Sequence, residues 1–181
     1  MMQRPASFAS LAAPLSLAAL LLLGACSSTQ EASSVRLVCP ALRIITGADE
    51  MTTYRGSGRD LTDVDFTVAM TDASFDCIAN EDAVEGEIQV LFDVRRGPAN
   101  ETNQAPFNYF VAVANSEQQI LAREAFDVVV PFGETRGRVT FAEVIGPQIP
   151  LPAPEAGGNY TIFLGLEISR EQLDDNLSGL Q

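Results

Sequence analysis

What this chain can do chemically is bounded first by what it lacks. Its 181 residues include 24 Asp and Glu, 11 basic residues and no His. Every basic residue is Arg. Without His or Lys there is no Ser-His-Asp or Cys-His arrangement, no Ser-Lys dyad and no Schiff-base lysine. Walker A loops, His-ligated zinc and His-ligated haem fall to the same count. Paired carboxylates, Tyr, or a metal held by oxygen ligands remain available for catalysis.

Four clusters have suitable side chains. Asp60, Asp63 and Asp65 gather beside a Gly-rich loop, and hard cations such as calcium favour oxygen-rich loops. The spacing is not that of an EF-hand, and the acids read as a solvated strand end with no metal. Glu81, Asp82, Glu85 and Glu87 offer carboxylates, but nothing sets them on facing walls of a cleft, as glycoside hydrolysis needs. There is also no Trp to stack a sugar, so they read as a charged turn. Arg95-Arg96 ahead of Gly97-Pro98 has the donors to grip a carboxylate or phosphate bidentately; a solvated strand end is the plainer reading. Tyr54, Arg55 and Arg59 lie in the Gly-rich loop and are residue types that dominate binding hot spots. They are the candidate partner-binding residues. No catalytic residue, metal site or cofactor is expected, and the chain is read as a non-enzyme.

The elements that would position these groups are extended. Val35 to Thr46 reads as a first strand broken at Pro40, followed by a loop over Gly47 to Asp60. Val64, Phe66, Val68 and Met70 alternate with polar residues, then Phe75, Cys77 and Ala79 after a turn near Thr71-Asp72. Such a period of two marks half-buried strands. Asn80 to Glu85 reads as turn. Ile88, Val90, Phe92 and Val94 repeat the alternation, and Arg95 to Pro106 is loop. Phe107 to Ala114, apolar on both faces, predicts a central strand. Ile120 to Phe132, Val139 to Ile145 (with a bulge after Phe141) and Tyr160 to Ile168 follow. Gly146 to Gly158 is Pro-rich and reads as unpaired loop. Arg170 to Leu177 predicts one short helix, with Ser169 and Gln172 as a capping box. About eight strands without helical crossovers predict an all-β, antiparallel Ig-like β-sandwich with a short C-terminal helix. The claim is one of architecture: the chain has no Trp, the residue that fills an immunoglobulin core.

Residues 1–25 read differently. A short segment with Arg4 precedes the apolar run Leu11 to Leu23, too short to span a bilayer. Gly24 and Ala25 are the small residues a signal peptidase needs. Leu23-Gly24-Ala25-Cys26 resembles the lipobox of bacterial lipoproteins. The resemblance implies that residues 1–25 are a lipoprotein signal peptide, and that Cys26 carries diacylglyceryl and palmitate-type chains and begins the mature protein. An ordinary cleaved signal with an incidental cysteine is the alternative. Ser27, standing where Asp would retain such a protein in the inner membrane, implies the periplasmic face of the outer membrane. Residues 26–34, small and polar, would be a flexible tether reaching about 15 Å. Residues 35–181 would form one domain.

In that oxidising compartment Cys39 and Cys77 read as a disulfide, with two buried free thiols as the alternative. The signal holds one of the 11 basic residues and none of the 24 acids. The mature part is therefore more acidic than the chain's net charge of −13, and such a surface repels nucleic acid. The partners expected are the membrane, through the lipid on Cys26, and an envelope protein. The stretches Cys39-Pro40, Gly58 to Asp63, Arg96 to Ala99 and Tyr109 to Val113 resemble a family of exported bacterial lipoproteins, a resemblance that implies no activity. The functional expectation is a non-catalytic, membrane-anchored lipoprotein serving as an envelope structural or protein-interaction module. The alternative is a periplasmic binding module for a small molecule, glycan or cation.

Overall fold

The computed structural model describes residues 38–79, 83–134, 137–150 and 154–179. The expected signal peptide (residues 1–25), Cys26 and the expected tether (residues 26–34) lie outside the described residues, as do Glu81 and Asp82. The chain is an all-β, sandwich-like fold with one short C-terminal helix. Nine strands are described: β1 (Ala41–Ile44), β2 (Glu50–Tyr54), β3 (Val64–Ala79), β4 (Ala83–Arg96), β5 (Gln104–Asn115), β6 (Ile120–Pro131), β7 (Arg138–Ile145), β8 (Gln148–Pro150) and β9 (Tyr160–Leu166). Helix α1 is Arg170–Ser178. One sheet runs β1-β9-β5-β6, the other β2-β3-β4-β7 with β8 also on β4.

The sheets meet through the alternating apolar faces. Phe66, Val68, Ile88, Val90, Phe92 and Val94 from one sheet share a core with Phe107, Tyr109, Ile162, Leu164 and Leu166 from the other. Phe92 is central: its ring lies 5.4 Å from Phe107, 5.1 Å from Tyr109 and 5.3 Å from Phe141. β5 lies between β9 and β6 as a central strand; Ala105, Phe107, Tyr109 and Val111 face the core, while Pro106 and Asn108 on its other face are exposed. The disulfide Cys39–Cys77 is formed, with Cα atoms 6.1 Å apart. It ties the segment entering β1 to β3 and so bridges the two sheets.

Several boundaries differ from expectation, each for a physical reason. The parity slip near Thr71-Asp72 is a β-bulge, so β3 runs on without a turn. The extra residue moves the inward set from Phe66, Val68 and Met70 to Ala73, Phe75 and Cys77 and keeps one face on the core. No bulge interrupts β7, which pairs with β4 in unbroken register. Part of the first loop is β2, held on β3 from Glu50↔Ala69 onward. Within the Pro-rich segment, Gln148–Pro150 pairs with β4; Pro150 takes the strand's last position, where a missing N–H costs little. The pairing is not antiparallel throughout, because β1 lies parallel to β9. The hairpins β3–β4 and β5–β6 each stay within one sheet, while β7 and β9 return to flank β4 and β5. The two-sheet architecture is immunoglobulin-like, and the strand order is its own.

Candidate functional site

The Tyr54 loop is built by short-range bonds. Leaving β2, the chain turns at Gly56, whose φ of +78° suits glycine. The Arg55 N–H donates to the Asp63 carbonyl at 2.8 Å. The Asp60 N–H donates to Asp63 Oδ2 at 3.1 Å. Asp63 is thus occupied in closing the loop. Asp65 accepts from buried Asn100 Nδ2 at 2.8 Å. Among the described residues, no group of three or more His, Cys, Asp or Glu is placed to hold a metal.

Helix α1 forms the facing wall. Ser169 Oγ accepts the Gln172 N–H at 3.1 Å, the first half of the expected cap. The Gln172 side chain does not fold back to complete it. Its Nε2 donates to the Thr52 carbonyl on β2 at 2.7 Å. Asn176 Nδ2 donates to the carbonyls of Gly47 and Glu50 at 2.7 and 2.9 Å. The helix thereby covers the outer edge of β2, one way a sheet edge is protected.

Between loop and helix lies an open groove of about 600 Å³. Thr52, Thr53, Tyr54 and Arg59 line one side; Glu171, Gln172 and Asp175 line the other. The Arg59 guanidinium stacks 4.9 Å over the Tyr54 ring, which holds an otherwise floppy cation in place. Arg55 points elsewhere, to Glu101 at 3.0 Å and the Ala99 carbonyl at 3.3 Å. Of the three candidate residues, Tyr54 and Arg59 come together in the groove and Arg55 does not line it. In the Pro-rich segment Gly146 to Gly158, residues 151–153 lie outside the described residues.

The Arg95-Arg96 pair is split between the two faces of β4. Arg96 Nη2 donates to the Asn100 carbonyl at 3.0 Å. Arg95 Nε donates to Asp93 Oδ1 at 2.9 Å, and Arg138 on β7 grips Asp93 Oδ2 through both Nε and Nη2. Asp93 is only 5% exposed. Its burial pushes the carboxyl up; the hydrogen bonds and charges of Arg95 and Arg138 outweigh that and hold it below the usual value. Sequence reasoning passed over Asp93. Its same-face neighbour Arg95 was visible, while Arg138 arrives from a strand far along the chain. Glu85 and Glu87 sit two apart on β4, side by side rather than across a cleft. Tyr109, the most deeply buried tyrosine, has a hydroxyl with no hydrogen-bond partner among the described residues. Burial, then the charges of Glu143 and Glu124, push its pKa up to about 12, so it stays protonated at neutral pH and offers no base.

Asp93 gives the first prediction. A carboxyl with a lowered folded pKa adds stability that is complete above the unfolded value, near 4, and is lost as pH falls through the folded one. Asp93→Asn is therefore expected to lower stability by about 2 kcal/mol at pH 7 and to flatten the acid limb below about pH 4. Urea unfolding at several pH values measures both; an unchanged acid limb contradicts the assignment.

No protein-family model matches the chain, and no curated protein matches its sequence.

Proposed function

We propose that this protein is a lipid-anchored, non-catalytic module of the bacterial cell envelope. In this reading Cys26 holds it at the periplasmic face of the outer membrane, and the groove between the Tyr54 loop and α1 receives an envelope protein. One observation carries the choice of surface: Arg59 is stacked on Tyr54 at the wall of an open, polar groove. Arg and Tyr anchors held in place lose little entropy on docking. Glu171 and Asp175 on the opposite wall give the groove both signs of charge, which fits a polar protein surface. Small molecules usually take enclosed and more apolar pockets. The Cys39–Cys77 disulfide supports an oxidising compartment.

Crosslinking in intact cells, with the partners identified afterwards, tests the reading. Tyr54→Ala with Arg59→Ala is expected to cut partner recovery roughly tenfold, as the loss of one hot spot would. Thermal stability is expected to stay within about 0.5 kcal/mol, as for surface changes generally. Undiminished recovery from a normally folded double variant means that the groove is passive.

A further inference from the structure

β6 ends its sheet, and no described strand pairs with its outer side. Two of the other sheet ends are treated differently. α1 covers β2, and β1 is only four residues long. β6 is 12 residues long and carries exposed Leu121 (54%) and Val129 (58%). A long edge with apolar side chains is a template for another strand.

The register says which strand. The Phe132 N–H donates to the Asn103 carbonyl at 2.8 Å, in step with the β5–β6 register Gln104↔Pro131 and Ala105↔Val130. In an antiparallel ladder, hydrogen-bonded pairs alternate. Even-numbered residues such as Val130, Val128 and Phe126 therefore bond to β5. From Arg123 onward, odd-numbered residues turn their N–H and C=O outward: Arg123, Ala125, Asp127 and Val129; the register shifts at Leu121, where the parity ends. A new antiparallel strand must match odd residues to its own outward set.

That outward set is complementary to itself. With Ala125 opposite Ala125 of a second copy, Arg123 meets Asp127 twice. Opposite charges directly across a ladder stabilise it, and like charges oppose it. Sliding the strands by two residues in one direction sets Glu124 against Glu124 and parts Arg123 from Asp127. Sliding the other way leaves Arg123 opposite Val129. A one-residue slip breaks the hydrogen-bond parity. In the single chain the Arg123 guanidinium lies over its own sheet, 4.3 Å over the Phe110 ring and donating to Glu167 through Nη2 at 2.7 Å; pairing with Asp127 of the second copy turns this side chain to the edge. β7, also at a sheet end, lacks this property. Its outward residues are Arg138, Thr140, Ala142 and Val144, with no acid among them.

We propose that two copies of this chain pair antiparallel through β6 about a two-fold axis at Ala125, joining their sheets into one.

The test is disulfide trapping of the full chain, purified in detergent, under a mild oxidant. Cα atoms in a hydrogen-bonded antiparallel pair lie about 5.5 Å apart, within reach of a disulfide. Ala125→Cys is expected to give a covalent dimer on a non-reducing gel, whereas exposed Val144→Cys on β7 is not. Adding either Asp127→Arg or Arg123→Asp to Ala125→Cys sets two like-charge pairs across the axis. Each is expected to weaken trapping roughly tenfold. The two charge variants mixed together are complementary again and are expected to restore it, which a folding failure would not allow. Equal trapping of every variant, no restoration on mixing, or trapping at Val144→Cys as strong as at Ala125→Cys overturns the proposal. So does a protein of other sequence recovered on Ala125→Cys in place of the dimer.

Discussion

Removing the Cys39–Cys77 bond, by reduction or by Cys39→Ala with Cys77→Ala, is expected to lower stability by about 4 kcal/mol. The two residues are 38 apart in sequence, and a crosslink of that span restricts the unfolded chain by about this amount in the chain-entropy model. In the folded state the bond joins the entrance of a four-residue strand to the opposite sheet. β1 has few backbone pairings of its own, so its attachment depends on that bridge. Cys39 is exposed, so a reductant reaches it in the native protein. For a domain of this size the loss corresponds to a fall in Tm of roughly 10 °C. Thermal unfolding with and without reductant measures it, and an unchanged Tm would mean that the bond is not formed in solution.

Cys26→Ser is expected to move nearly all of the protein from the membrane fraction to the soluble one and to abolish fatty-acid labelling. Each buried methylene contributes about 0.8 kcal/mol to membrane attachment, and stable anchoring takes more than one chain. Nothing else proposed for this protein replaces that grip. The net charge of −13 repels anionic headgroups, and among the described residues no helix is long and apolar enough to cross a membrane. Fractionation of cells expressing either form reads the outcome. A Cys26→Ser chain that remains labelled and membrane-bound refutes the anchor.

The sandwich was legible because its strands alternate strongly. Tyr160 to Leu166 and Ile88 to Val94 showed which side chains face the core before any pairing was known. Strand ends were harder to read. A bulge and a turn shift the apolar parity in the same way, so Thr71-Asp72 looked like a corner. β2 was hidden because Met51, Thr52 and Thr53 carry little apolar contrast, and tertiary pairing with β3 decides their state. In the candidate groove, Tyr54 and Arg59 were visible as residue types in one loop. Their opposite wall was not, because α1 reaches β2 through Gln172 and Asn176, more than a hundred residues further along. The Asp93 cluster shows the same limit: a carboxylate looks like an ordinary outward strand residue until the fold delivers Arg138. The residues of the proposed β6 pairing, Arg123, Ala125, Asp127 and Val129, stood in the sequence, but only the β5–β6 register shows which side of the strand is free.

The proposed account rests on Cys26 as the attachment point, and the intact mass of protein extracted from membranes with detergent tests it most directly. The account predicts a chain that begins at Cys26 and carries a diacylglyceryl group and a further acyl chain on that residue. A mass corresponding to a chain that begins elsewhere, or to one that begins at Cys26 without lipid, would contradict it.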